Sequence, residues 1–288
     1  LVLNAGDYGL AVQERAELIM LSDIAGYVGA DTCGCLLAIR QDQQEEISLM
    51  IDIGTNGEMV LGNRERMVTC STAAGPAFEG AKIECGMRGA AGAVDHVKYE
   101  DGKWNYTTVG NKPAVGLCGS GLIDLVAGLL EAGMLDENGV LRSGQEKQGV
   151  FILVPPERGG NERGVYLTQK DLGEVQLAKA AIAAGIQMLM ERLGITEDDI
   201  CSVYIAGAFG NYMDPVSAGK IGLLPATLVK KVQPVGNAAG EGAKIALVNE
   251  KEMLEMDELV RKIEFVELAA SADFQDHFID ELGFETGE

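Results

Sequence analysis

The sequence predicts an α/β domain with a mixed five-stranded sheet, flanking helices and a large α+β insertion. Three observations predict it. The first is an apolar run from Ile47 to Ile53, closed by Asp52 near its end, which reads as a buried strand. Glu58–Gly62 and Arg66–Ser71 follow at tight-turn spacing and complete a β-meander. The second is a helix–strand–helix–strand–helix order in the last third of the chain. The third is the irregular, glycine-rich stretch between them, from Thr72 to about Tyr166. Many glycines (38) and few aromatics (5%) fit an α/β protein with tight turns better than a β-sandwich.

The elements follow in order. Leu18–Leu21 reads as a short strand, and Ile24–Ala38 as a helix of small residues that can approach a sheet closely. Gln41–Glu46 is polar and reads as a surface turn. The insertion holds one clear helix, Gly121–Ala132, and places Trp104 in a polar, hairpin-like stretch. Thr168 and Asp171 form a capping-box pattern at the next helix. Its apolar residues Leu172, Val175, Ala178, Ile182, Ile186, Leu189 and Leu193 recur at helical spacing, and Gly194 stops it. A strand at Cys201–Ala206, a glycine turn, a helix, a strand at Val232–Val235 and a helix at Ala239–Leu247 come next. Met253–Ile263 reads as an amphipathic helix and Phe265–Leu268 as a short strand. Ser271 caps a last helix carrying Phe274, Phe278 and Leu282. This order is ribonuclease H-like. The expected division is a strand and helix over 1–40, a core lobe over 41–71 and 167–288, and an insertion over 72–166.

With 288 residues, 47% of them hydrophobic, the chain can bury a large core. A net charge of −21 argues against nucleic acid and against an anionic membrane surface as partners. Acidity does not exclude a nucleotide, because backbone N–H groups and Mg²⁺ can hold phosphate. The six cysteines (Cys33, Cys35, Cys70, Cys85, Cys118 and Cys201) match neither a zinc nor an iron–sulfur spacing. They read as small buried thiols of a protein in a reducing cytoplasm. The sequence shows no signal peptide and no apolar run of the ~18 residues that would span a bilayer. The start at Leu1 reads as that of a truncated or proteolysed product.

Five segments can carry chemistry. In Asp52-Ile53-Gly54-Thr55-Asn56-Gly57-Glu58, a strand delivers Asp52 to a cleft edge. There Asp52 can hold Mg²⁺ through water. Gly54 and Gly57 let the backbone bend toward phosphate oxygens, and Thr55 and Asn56 add donors. The bland alternative is a hairpin turn, for which Asn-Gly is the strongest local signal. Ala206–Asn211, with Gly207, Ala208, Gly210 and Asn211, can leave room for an adenosine or be a plain strand-to-helix turn. Gly236–Ala243, with Gly240 and Gly242, suits close packing across a hinge or simple helix packing. In Ser71–Ala81, Glu79 can orient a water or meet a partner, or the segment is a structural loop. In Gly116–Asp124, Ser120 can bind an anion at a helix N-terminus, or the helix is merely capped. His96 and His277 look isolated, and neither is expected to be catalytic.

The order of these segments resembles the actin, sugar-kinase and heat-shock chaperone superfamily. Ile24–Ala38, with Gly26, Gly29 and Asp31, looks like its connect 1 element. Asp52–Glu58 looks like phosphate 2, Ala206–Asn211 like adenosine and Gly240–Leu247 like connect 2. Within that superfamily, six longer stretches are similar to one family. They are I-A-G-Y-V-G-A-D, L-M-I-D-I-G-T-N-G-E-M-V-L-G-N, S-T-A-A-G-P-A-F-E-G-A, G-L-C-G-S-G-L-I-D, I-A-G-A-F-G-N-Y-M-D-P and V-G-N-A-A-G-E-G-A. They resemble the C-terminal, actin-like ATPase part of reductive activators of corrinoid proteins, from about Ile24 to Leu282. The resemblance implies ATP and Mg²⁺ as cofactors and a corrinoid protein as partner. It also implies a homodimer, and a [2Fe–2S] ferredoxin-like domain lying upstream. The cluster cysteines and the phosphate 1 loop of that pattern are absent here. Weak or no nucleotide binding by this chain alone is therefore expected. A small-molecule kinase with Glu79 as base, and a non-catalytic docking or dimerisation module, are the competing readings.

Overall fold

The computed structural model describes residues 2–13, 15–142, 149–269 and 271–284; the Leu1 terminus lies outside them. The elements before the insertion are β1 (Val2–Asn4), β2 (Glu17–Ile19), α1 (Ala30–Ile39), β3 (Ile47–Ile53), β4 (Gly57–Gly62) and β5 (Met67–Thr72). The stretch expected as an insertion carries β6 (Ala93–Glu100), β7 (Lys103–Thr108), β8 (Gly116–Leu117), α2 (Gly119–Glu131) and β9 (Val150–Val154), and β10 (Val165–Thr168) crosses its expected end at 166. Then come α3 (Gln169–Leu193), β11 (Ile200–Ala206), α4 (Gly207–Gly210), α5 (Pro215–Lys220) and β12 (Val232–Gly236). The chain continues through α6 (Ala238–Val248), α7 (Glu250–Val260), β13 (Ile263–Phe265) and α8 (Ala272–Asp280).

The main sheet runs β12-β11-β3-β4-β5-β13. β3, β4 and β5 form the antiparallel meander, while β11 lies parallel to both β3 and β12. It has six strands rather than the expected five. The extra one is β13, parallel to β5 with Ile263 opposite Met67, two residues earlier than the sequence suggested. Three residues are too few to show an alternation period, so only pairing identifies it.

Side chains alternate across the sheet, which makes two cores. Leu49, Ile51, Met59, Leu61 and Val68 face α3 and the insertion. Met50, Val60 and Met67 face α1, α6 and α7. α3 begins at the expected capping box. Asp171 N donates to Thr168 Oγ1 at 3.1 Å, and Thr168 N donates to Asp171 Oδ2 at 2.9 Å. It ends at Gly194, which is left-handed with φ 70°.

Two local expectations change. The helix expected from Ile24 starts at Ala30. Ile24–Val28 instead closes a tight turn, in which Val28 N donates to Ala25 O at 3.1 Å. Gln41 is fully buried rather than on a surface turn. Its Nε2 donates to Ser48 O at 2.7 Å and Val60 O at 3.2 Å, which ties the end of α1 to the sheet. Both bonds satisfy the amide nitrogen, while the buried Oε1 carries no hydrogen bond among the described residues. Trp104 packs in the insertion, with ring centroids 4.8 Å from Tyr99 and 4.9 Å from Phe151.

Candidate functional site

Because β3 and β11 are parallel, their C-terminal ends meet at one edge of the sheet, where open α/β sheets place their ligands. The register sets Ala206 opposite Asp52, and Asp52 opposite Glu58. α4 starts at once with Gly207, whose φ of 85° is left-handed. A Cβ at Gly207 would stand 3.1 Å from Asp52 Oδ1. Glycine is therefore required there twice, for its backbone and for the space beside the carboxylate.

Neither Gly54 nor Gly57 is among the left-handed glycines. The turn closes through Gly54 N, which donates to Asn56 O at 2.9 Å. Gly57 is needed for room instead, since a Cβ there would lie 2.8 Å from Thr72 Oγ1 and 3.2 Å from Ile182 Cγ1. Thr55 and Asn56 are exposed at the tip. Thr55 Oγ1 donates to Glu79 Oε1 at 2.6 Å, and Gly75 N donates to Thr55 O at 2.8 Å. The loop that carries Glu79 thus braces the Asp52–Glu58 turn.

The edge is electrostatically loaded. Burial, and then the Asp31 charge, hold the Asp52 carboxyl above the ordinary range. Burial raises Glu58 as well, helped by Asp52 and Asp31. Like charges converging on half-buried carboxylates fit a cation brought by a ligand. Among the described residues there is no group of three or more ligating side chains placed to hold a metal directly. Asp52 and Glu58 offer carboxylate oxygens, the donors that a hard cation takes directly or through water. The Cys33 and Cys35 thiols are pushed up to about 12, first by burial and then by nearby aspartates. They stay neutral at physiological pH and are poor nucleophiles.

The adenosine-like segment folds as a single helical turn. Ala208 occupies it, Phe209 stacks on Phe78 with centroids 5.7 Å apart, and Gly210 packs on Ile205. Asn211 lies beside Gly236, where a Cβ would stand 3.4 Å from Asn211 Nδ2. Segments 206–211 and 236–243 therefore meet at Asn211 and Gly236.

The helices α1 and α6 cross at two glycines. A Cβ at Gly242 would overlap the Gly34 carbonyl oxygen, and one at Gly34 would lie 2.8 Å from Ala239 O. Of the expected hinge residues, only Gly242 is in this crossing. Gly240 lies against its own cap Asn237, Gly29 caps α1 ahead of Asp31, and Gly26 has nothing within 4 Å of its Cβ direction. Gly34 was missed, although its place between Cys33 and Cys35 in a small-residue helix was a usable signal.

Ser120 is buried, and its hydroxyl donates to Asp95 O at 2.8 Å. Cβ atoms at Gly119 and Gly121 would overlap the carbonyl oxygens of Phe78 and Val94. The glycine-rich start of α2 therefore serves close packing, and the serine hydroxyl is engaged inside the protein. Ser120→Ala is expected to cost about 1–2 kcal/mol in urea denaturation and to leave ligand affinity unchanged. Neither histidine is isolated. His277 Nε2 lies 2.9 Å from Glu191 Oε1. His96 Nδ1 lies 3.1 Å from Asp124 Oδ2, on a cleft of ≈590 Å³ that Asn211 and Asp214 also line. Burial pushes the Asp124 carboxyl up against the pull of its hydrogen bonds.

Comparison with known proteins gives the family. The family described as the C-terminal domain of RACo, the ASKHA domain, matches residues 46–288. The chain belongs to this family. It is 36% identical over 292 residues to the corrinoid activation enzyme RamQ of Eubacterium limosum, covering 96% of this chain and 49% of the relative. It is 29% identical over 303 residues to the [Co(II) methylated amine-specific corrinoid protein] reductase of Methanosarcina barkeri, covering 97% and 54%. A solved structure of a reductive activator for corrinoid, iron–sulfur protein superposes with a TM-score of 0.90 at 38% identity, covering 98% of this chain and 47% of that one. The chain thus spans about half the length of the relatives it matches. The ASKHA fold is the actin-like, ribonuclease H-like arrangement read from the element order. No helix among the described residues is long and apolar enough to cross a membrane.

Proposed function

We propose that this chain is the ATP-binding lobe of an activator that drives a Co(II) corrinoid protein to Co(I). The observation that carries the reading is the meeting of Asp52 and Gly207, 3.1 Å from carboxylate to would-be Cβ, at the carboxyl ends of β3 and β11. In this reading Asp52 holds a water of Mg²⁺, and Thr55 and Asn56 donate to phosphate. Gly207, Gly210 and Asn211 leave room for the nucleoside. Bound Mg²⁺ supplies positive charge that offsets Asp31, Asp52, Glu58 and the phosphates together. The glycine crossing of α1 and α6 provides close-packed surfaces on which two lobes can shift. Nucleotide favours cobalt reduction only as far as it binds the closed arrangement more tightly than the open one.

The partner is a corrinoid protein, and the working state a homodimer in the reducing cytoplasm. The relatives are about twice as long as this chain, so the other half of the cleft and the [2Fe–2S] cluster are assigned to the remainder of such a protein. The test supplies that remainder and follows ATP-dependent Co(I) formation by its absorbance. Asp52→Asn is expected to abolish the ATP-dependent part. Undiminished Co(I) formation in that variant would remove Asp52 from the site.

A further inference from the structure

One loop, residues 72–81, touches both proposed nucleotide elements. Gly75 N and Glu79 hold Thr55, through its carbonyl at 2.8 Å and its hydroxyl at 2.6 Å. Between them, next to Glu79, the buried Phe78 stacks on Phe209 at 5.7 Å, within the turn that begins beside Asp52.

We propose that Glu79 senses whether the Asp52–Glu58 turn is occupied by phosphate and relays this to Phe78 and Phe209. The proposal rests on reading that turn as a phosphate loop. A threonine hydroxyl has one proton to donate, and Thr55 gives it to Glu79. An arriving phosphate is a second anionic acceptor for the same proton. Two anions at one hydroxyl repel each other, so phosphate frees the glutamate.

The loop turns at two defined points. Gly75 (φ 77°) and Gly80 (φ 81°) bracket Pro76–Glu79, and both use the left-handed region. A Cβ at Gly75 would meet nothing within 4 Å, whereas one at Gly80 would lie 2.5 Å from Met87 N. Gly80 is therefore packed against Met87, while Gly75 is held only through its N–H, on the Thr55 carbonyl. When Glu79 lets go, the segment carrying Phe78 shifts against Phe209. The exposed face of the loop then changes with nucleotide state. Glu79 is a positioning residue that acts through Thr55 and Phe78.

Hydrogen exchange read by mass spectrometry on the full-length protein tests this. Magnesium-ATP is expected to speed exchange across Ala77–Ala81 in the wild type. Thr55→Val is expected to give the same faster exchange without nucleotide. Glu79→Gln replaces a charge-assisted bond by a weaker neutral one, so its loop starts open and responds no further. It also removes a negative charge facing phosphate. Calorimetry is therefore expected to show magnesium-ATP binding about three- to tenfold tighter. Glu79→Asp keeps the charge but shortens the reach, and is expected to open the loop without the gain in affinity. A purely structural glutamate would weaken binding or leave it unchanged on removal. Nucleotide binding by the wild type with no change in the loop overturns the sensor and leaves the phosphate-loop reading standing, as does a Glu79→Gln variant that binds no tighter. Failure of the full-length protein to bind nucleotide at all overturns both.

Discussion

Gly242→Ala is expected to lower folding stability by about 3 kcal/mol, measured as a fall in the urea midpoint. The added methyl would overlap the Gly34 carbonyl oxygen, which is backbone and cannot rotate away. Alanine is also a better helix former than glycine, by about 1 kcal/mol. The overlap outweighs that gain, because α1 and α6 must separate to admit the methyl, and separation strips contacts from Cys33, Leu36, Ala238 and Ala246 in the same core. Gly34→Ala is expected to behave alike, its Cβ lying 2.8 Å from Ala239 O. Gly26→Ala is the control. It has open space and no left-handed backbone, so a change within about 0.5 kcal/mol is expected. An unchanged midpoint in Gly242→Ala would mean that the helices do not cross at this point.

Asp52→Asn is expected to do two opposite things. Burial and the Asp31 charge raise the Asp52 carboxyl, so the folded chain holds that proton more tightly than the unfolded chain does. The associated stability is fullest below the ordinary Asp value of 3.8 and is lost as pH rises through the raised one. Glu58 acts in the same direction. Above the ordinary carboxylate range, ionising both groups costs more in the folded chain than in the unfolded one. The substituted asparagine would carry no charge, so the ligand-free variant is expected to melt at a higher temperature than the wild type at pH 7. The gap is expected to close toward pH 4. Magnesium-ATP reverses the order. It raises the melting temperature of the wild-type full-length protein, while the variant loses at least about tenfold in affinity and gains little. A variant that melts lower than the wild type at pH 7 without ligand would contradict the electrostatic account of this edge.

Much of the fold was legible because its signals are local. The alternation from Ile47 to Ile53, the three-and-four spacing from Leu172 to Leu193 and the cap at Thr168 each need only neighbouring residues to be recognised. β13 was misplaced because three residues carry no period. α1 was started early because Ile24–Val28 is apolar enough to pass for a helix, while its hydrogen bonds close a turn. Gln41 was placed on the surface because its partners, Ser48 O and Val60 O, belong to the sheet.

The same division holds at the site. By itself the sequence determined the ribonuclease H-like order of elements and the motifs at Asp52–Glu58, Ala206–Asn211 and Gly236–Ala243. Those are properties of residue type and spacing along the chain. Only the tertiary structure decided that Asp52 faces Gly207, that Gly34 rather than Gly26 or Gly29 meets Gly242, and that Thr55 is held by Glu79. The Thr55–Glu79 pair is separated by 24 residues and the two crossing glycines by far more. Bonds and overlaps of that kind exist only after the strands have taken their register and the helices have docked, so no local pattern records them.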